Sequence, residues 1–412
     1  MTTLVHRIRR LPVALHRITA SGRYRPEIDG LRFFAIAIVL LGHLVERVAR
    51  VTAASRPLGA GEQAFVHFIP GATTGVLLFF TISGYILGMQ FERLKEKGET
   101  FKYHNYLVRR ITRIAPPYYV MLLIGFVALS VPVLNPGYMN LGNRASGSLA
   151  ESLLWSLLFL HGTVLAAMPR TFPPGWSLEI EIHFYLVAPI LFALIMRVRA
   201  ARFAAWKWCI LGASVAVTAA STFAFGEHAG YYFSLVRFLP FFLLGPCLVL
   251  ALDERARGAM PAGLADAVGF CALLALCASG VAQHSTSGWI NVTLLDVGRM
   301  IAVAGMFVGA VRGRHFRAMC SLRWISFLGG ACFSIYLCHL QVLQVLTPLV
   351  DKVLNPQSVY AAYVLGVLIQ LPVAIVASLI FYVLVERQFM RPIDWRRFVP
   401  GARRRADGQY IN

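Results

Sequence analysis

Long runs without charge alternate along this chain with short polar breaks. The first apolar run is Phe33 to Leu41, within a span read as 31–50. Further runs lie at 73–91, 114–134, 178–197, 207–225, 231–251, 264–283, 296–311, 325–350 and 359–385. Most come close to the roughly 20 residues that a helix needs to cross a bilayer. In hydrocarbon each backbone N–H and C=O must be satisfied within its own segment, so these runs predict helices. The predicted fold is all-α, a polytopic membrane helical bundle of about ten transmembrane helices. The stretch 151–168 is ambiguous, being apolar and long enough to cross. If it crossed, the basic group Arg197, Arg199, Arg202 and Lys207 would face away from the other basic loops. It is therefore read as re-entrant, or as lying flat at the outer interface.

Charge sets the orientation. The chain carries 39 Lys and Arg against 19 Asp and Glu, a net charge of +20. Most of the basic residues fall in loops and ends that the ten-span arrangement gathers on one side. Both termini are then cytoplasmic by the positive-inside rule. This placement is a topology signal, so it does not call for nucleic acid, though a basic face attracts anionic lipid or an anionic cofactor. Residues 1–24 read as a basic, partly amphipathic cytoplasmic segment, 25–390 as the membrane domain and 391–412 as a basic cytoplasmic tail. No cleavable signal peptide is evident, because no small-x-small site follows the first run. At 58% hydrophobic and 14% charged, the chain is excluded from the soluble class, where roughly 25% is charged. Seven cysteines show no metal-ligand spacing, and no metal is expected.

Ionisable groups inside the runs are the candidates for chemistry, since they are costly in a bilayer. Asp29, Gly30 and Arg32 open the first span and His43 follows within it. Arg32 and His43 share a helix face, about 16 Å apart along the axis. Glu181 and His183 are too polar for a lipid-facing run, and His339 sits deep in its own span. His43, Glu181 and His339 are expected to meet in the outer half of the bundle. Two readings of them stay open: a base with a carboxylate partner, or a hydrogen-bond network holding helices together. Arg110 and Arg113 are spaced to share a face and grip phosphate, yet an arginine cluster at a helix end is also the usual topology determinant. Ser83-Gly84 favours close helix approach, and Ser83 has no base beside it in sequence. Arg237 and Asp266 read as interfacial charges, and Asp296 with Arg299 as a pair at a helix end.

Five motifs in order carry a resemblance. They are Arg25-Pro-Glu-Ile-Asp-Gly-Leu-Arg32 with His43; Phe79-Phe80-Thr-Ile-Ser83-Gly84-Tyr85; Arg109-Arg110-Ile-Thr-Arg113-Ile-Ala-Pro116-Pro117-Tyr118; Trp176-Ser177-Leu178 with Glu181, Phe184 and Tyr185; and Ser334 to His339, with Glu386-Arg387 beyond. Over most of its length the chain resembles the integral-membrane acyltransferases of the acyltransferase-3 type, which O-acetylate surface polysaccharides and similar acceptors. Two positions depart from the pattern: Ile182 replaces a second acidic residue, and Cys338 stands where an aromatic is common. The extra extracytoplasmic esterase-like domain of some members is not expected.

The resemblance implies a multi-pass enzyme of the bacterial inner membrane. It would move an acyl group, acetyl by default, from cytoplasmic acyl-CoA to a hydroxyl of a saccharide or glycolipid at the outer side. Acyl-CoA is a co-substrate in this reading, and no cofactor is permanently bound. The expected catalytic residues are His43, Glu181 and Asp29. Arg32, Arg110, Arg113 and Tyr118 are assigned to the donor. Ser83, Trp176, Ser177 and His339 are assigned to substrate. Direct attack and an acyl group resting on His43 are both compatible with these residues. The competing class is a proton-coupled transporter or flippase using His43, Glu181 and His339 as a relay. All of this presumes a tunnel joining the basic entrance to the imidazole.

Overall fold

A computed structural model describes residues 25–131, 147–196, 206–252, 260–283 and 286–390, with the backbone of 403–404 and 410–411. Residues 1–24 and nearly all of the 391–412 tail lie outside the described residues. The helices are α1 (Pro26–Ser55), α2 (Ala60–Phe68), α3 (Ala72–Glu96), α4 (Tyr103–Ser130), α5 (Leu149–Leu157), α6 (His161–Leu165), α7 (Gly175–Met196) and α8 (Trp206–Phe225). There follow α9 (Ala229–Tyr232), α10 (Leu235–Ala251), α11 (Ala262–Ala282), α12 (Trp289–Arg312), α13 (His315–Cys320), α14 (Arg323–Gly330) and α15 (Cys332–Leu354). The last, α16 (Val359–Phe389), contains two π-helical turns, Gly366–Gln370 and Tyr382–Glu386. Two residues at each side, Arg403–Arg404 and Tyr410–Ile411, pair antiparallel beyond it.

Ten helical segments among the described residues are long and apolar enough to cross a membrane. The stretch 151–168 is not among them: it folds as α5 and α6, broken at Phe159, which adopts a positive φ of 56°. A β-turn-like reversal at a non-glycine residue costs energy. The buried carboxylate of Glu179 holds the break in place, accepting from the Gly162 and Thr163 backbone N–H groups at 3.0 and 3.1 Å and from Thr163 Oγ1 at 3.1 Å.

Three boundaries differ from the sequence reading. α4 begins at Tyr103, so Arg109, Arg110 and Arg113 stand inside a helix rather than in a loop below it. Arginine charge lowers the apolar signal there, but long side chains keep their heads polar while the stems pack. α12 extends from Trp289 because Asp296 and Arg299 pair inside the bundle instead of ending the helix. The run 325–350 divides at Ala331 into α14 and α15, and Gly329 packs so close to the Asp29 carbonyl that no Cβ fits.

α1 lies at the centre, packed by α3, α14 and α15. Small residues set its depth. Gly75 meets the Ala35 carbonyl and Gly42 meets Pro70 and Ala72, which fixes α1 and α3 as antiparallel neighbours. Where α3 crosses α10, Gly84 faces the Phe242 carbonyl and Gly245 faces the Tyr85 amide. Phe80, Phe242 and Phe184 stack beside that crossing, with centroids 4.4 and 4.0 Å apart. Arg237 ion-pairs with Asp296, which Arg299 also approaches at 3.3 Å while donating to Gln283 at 2.9 Å. The expected interfacial charge at Arg237 is thus a partly buried tie, through Asp296 and Arg299, between α10, α11 and α12. Asp266, the other one, is buried and accepts from the Phe316 backbone N–H at 2.9 Å.

Candidate active site

A cavity opens among α1, α3, α4, α7 and α15. Three arginines stand on its lining: Arg32, Arg110 and Arg113. Helix periodicity places them. Arg32 lies one turn into α1, held by Asp29 at 2.6 Å, and Asp29 is itself buried. Arg110 and Arg113 are three apart on α4 and so share a face. Arg110 donates to Gln90 Oε1 at 2.5 Å and its guanidinium lies over the Tyr106 and Tyr185 rings, 5.9 and 5.5 Å from their centroids. Such stacking holds the planar head while leaving other N–H groups for an anion.

Further along the lining stand Ser83, Glu181 and Tyr185. Glu181 Oε1 accepts from Ser83 Oγ and from the Tyr185 hydroxyl, each at 2.5 Å. The carboxylate beside Ser83, which the sequence could not show, is Glu181, 98 residues away. This corrects the expected meeting of Glu181 with the two histidines: it sits on the cavity with the arginines.

His43 and His339 do meet. Their rings stack with centroids 5.3 Å apart. His43 remains 23% exposed at its side chain, and its Nδ1 lies 3.1 Å from Glu46 Oε2. With Glu46 ionised, that nitrogen carries the proton and Nε2 keeps a lone pair. His339 is fully buried. Its Nδ1 lies 3.0 and 2.8 Å from the Ile335 and Tyr336 carbonyls, which only accept, so it carries the proton. Nε2 of His339 is left with a lone pair and no partner among the described residues. Glu46 was missed by sequence reasoning, although its spacing of three from a histidine on a helix is a usable signal.

The cavity lining does not extend to the imidazoles as the presumed tunnel requires. Neither histidine lines the cavity; Tyr336 does, and its ring lies 5.8 Å from that of His339. The Tyr336 hydroxyl donates to the Pro174 carbonyl at 2.9 Å and lies 2.7 Å from Ser177 Oγ, so the ring is pinned between the two compartments.

Tyr118 and Trp176 stand away from the lining. Tyr118 is buried against Phe159 and Phe172, with centroids 5.1 and 5.7 Å away, and supports α5 rather than reaching a donor. Trp176 packs on Tyr232 and Phe238 at 5.4 and 5.6 Å. Ser177, its neighbour, does reach the cavity. His183, outside the histidine pair, lies 2.9 Å from the Phe159 carbonyl and secures the α5–α6 break.

The fold and cavity define a polytopic helical membrane protein with three arginines on a largely apolar cavity. The chain belongs to the acyltransferase-3 family, whose acyltransferase domain matches residues 25–386, and it is a membrane acyltransferase. It is 28% identical over 399 residues to the acyltransferase MdmB of Streptomyces mycarofaciens, covering 92% of this chain and 94% of that protein. It is 26% identical to the putative membrane-bound transacylase BcsY of Komagataeibacter xylinus, over 92% of this chain and 86% of that one. A 172-residue stretch is 28% identical to the peptidoglycan O-acetyltransferase OatA of Listeria monocytogenes, covering 41% of this chain and 24% of OatA. No solved structure matches the chain.

Proposed function

We propose that the protein transfers an acyl group, acetyl by default, from cytoplasmic acyl-CoA to a hydroxyl of a saccharide or glycolipid at the outer face of the bacterial inner membrane. One observation carries this reading: a cavity with Arg32, Arg110 and Arg113 together on its lining. Guanidinium groups suit the phosphates of CoA bidentately. The apolar lining, Val76, Phe79, Phe80 and Ile86, suits the pantetheine arm and the acyl group.

His43 Nε2 takes the proton of the acceptor hydroxyl. The hydroxyl oxygen forms a bond to the thioester carbonyl carbon, and the C–S bond breaks. The sulfur leaves with the electron pair, and the proton on His43 passes to it. Glu46 holds the Nδ1–H of His43, which favours this tautomer before attack and the imidazolium after it. For the thioester to meet His43, the Tyr336 ring must turn aside. The name of BcsY, membrane-bound transacylase, supports acyl transfer, and that of OatA, peptidoglycan O-acetyltransferase, supports an envelope saccharide as acceptor.

The test uses purified full-length protein in lipid nanodiscs with isotope-labelled acetyl-CoA. Arg113→Ala is expected to raise the apparent KM for acetyl-CoA about tenfold, the loss of one charge-assisted contact. An unchanged affinity rejects the phosphate grip.

A further inference from the structure

Arg47 stands one turn beyond His43 on α1 and is only 6% exposed. Among the described residues it makes no hydrogen bond and no ion pair. A buried guanidinium without a partner is costly, because desolvation is not repaid by pairing. Its surroundings neutralise it only in part. The Glu46 carboxylate beside it already holds His43, and Arg50 adds a second positive charge. Residues four apart share a helix face, and long side chains lean back toward the N-terminus. His43 and Arg47 both act on the buried His339 ring, which stacks on His43.

The position says which ligand the cation serves. Arg32 and Arg47 are fifteen residues apart on one helix, about 22 Å along its axis. The phosphates of the donor dock at the Arg32 end, and the arm and acyl group that reach toward His43 carry no charge. An anion that reaches Arg47 in the ground state comes with the acceptor.

We propose that Arg47 is the anion-binding residue of an acceptor subsite, and that the acceptor is a saccharide or lipid-linked saccharide with a carboxylate or phosphate close to the acylated hydroxyl. This rests on the acyl-transfer reading above and narrows its substrate class. Arg47 then discriminates between acceptors: a neutral sugar leaves the guanidinium unpaired, and an anionic one satisfies it.

The experiment compares three probes on the full-length protein in nanodiscs: methyl glucoside, methyl glucuronoside and glucose 6-phosphate. Binding is followed by calorimetry and by thermal stabilisation. At least one anionic sugar is expected to bind about tenfold or more tightly than methyl glucoside, as one charge-assisted contact provides. Comparing the glucuronoside with the phosphate tells carboxylate from phosphate. Arg47→Gln is expected to bring the anionic sugars down to the neutral level, Arg47→Lys to keep part of the preference, and both to bind acetyl-CoA as the wild type does. Acetyl-CoA binding also reports that each variant is folded. Equal binding of all three sugars by the wild-type protein overturns the proposal without recourse to any variant. So does a preference that survives Arg47→Gln. If Arg47→Gln slows transfer to every acceptor while sugar binding is unchanged, the guanidinium serves a transient oxyanion and the subsite is rejected. Failure of the wild type to bind acetyl-CoA sinks the acyl-transfer reading instead, a result separate from the sugar preference.

Discussion

The rings of His43 and His339 stack at 5.3 Å with an inclination of 29°, joining α1 to α15 inside the bundle. A pair that served only as packing would use both nitrogens of each ring in hydrogen bonds. Here each ring keeps Nε2 as an acceptor, one partly exposed and one fully buried. That arrangement suits proton transfer better than adhesion. His43→Ala and His43→Gln are each expected to lower acyl transfer by about 10²–10⁴-fold, the usual worth of a positioned base. Acetyl-CoA binding should persist in both. Transfer at a near wild-type rate by either variant, with expression matched, removes His43 from the mechanism.

Glu46 should matter less than His43, and in a graded way. Its carboxylate is about half exposed, so solvent screens part of the attraction. Glu46→Gln is expected to reduce kcat about tenfold or less while leaving the KM for acetyl-CoA alone, and Glu46→Asp should restore part of the loss. A change confined to KM would show that Glu46 acts on binding and not on the base. The pH profile of kcat distinguishes an orienting role from a purely structural one, since only the former moves the acidic limb.

Tyr336 separates the donor cavity from the histidines, and its removal is expected to uncouple them. Tyr336→Ala opens a passage where the ring stood, so water reaches the thioester and acetyl-CoA hydrolysis without acceptor should rise. Tyr336→Phe keeps the ring but loses contacts to Pro174 and Ser177, worth about 0.5–1.5 kcal/mol each. It should lower thermal stability while hydrolysis stays low. Equal hydrolysis in Tyr336→Ala and wild type would mean that the ring does not seal the path.

Much of this architecture is legible in the chain because a bilayer leaves few options. Ten crossings follow from the apolar runs, and the basic loops reject an eleventh at 151–168. The structure adds the reason that the stretch turns back: a buried carboxylate, Glu179, bonded to two backbone amides and a hydroxyl. Pairings between distant helices are less legible. Nothing local to Ser83 announces Glu181, which lies 98 residues away on another helix. Depth read from one span end also misleads. Glu181 and His339 were placed together on that basis, but α14 and α15 are separate helices, so counting from 325 misplaces the start of the span. Motif resemblance found Arg32, Arg110, Arg113 and Ser177, all on the cavity lining. It also brought in Tyr118, whose place is in the aromatic core.

Glu181 supports two hydroxyls at once, and that makes its replacement specific in outcome. Ser83 Oγ and the Tyr185 hydroxyl both donate to the same oxygen, Oε1. Glu181→Ala strands two largely buried donors, at about 1–3 kcal/mol each, whereas Glu181→Gln still offers an amide oxygen to both. Thermal unfolding in nanodiscs should therefore rank wild type above Glu181→Gln and Glu181→Ala last. Ser83→Ala removes one of the two donors, so its effect should shrink in a Glu181→Ala background. The double-mutant cycle is expected to show coupling of about 0.5–3 kcal/mol. Additive losses would mean that the Ser83–Glu181 contact is not formed in the membrane. Because Tyr185 carries the Arg110 guanidinium on its ring, Glu181→Ala should also weaken acetyl-CoA binding, and a KM left at the wild-type value would detach the carboxylate from the donor site.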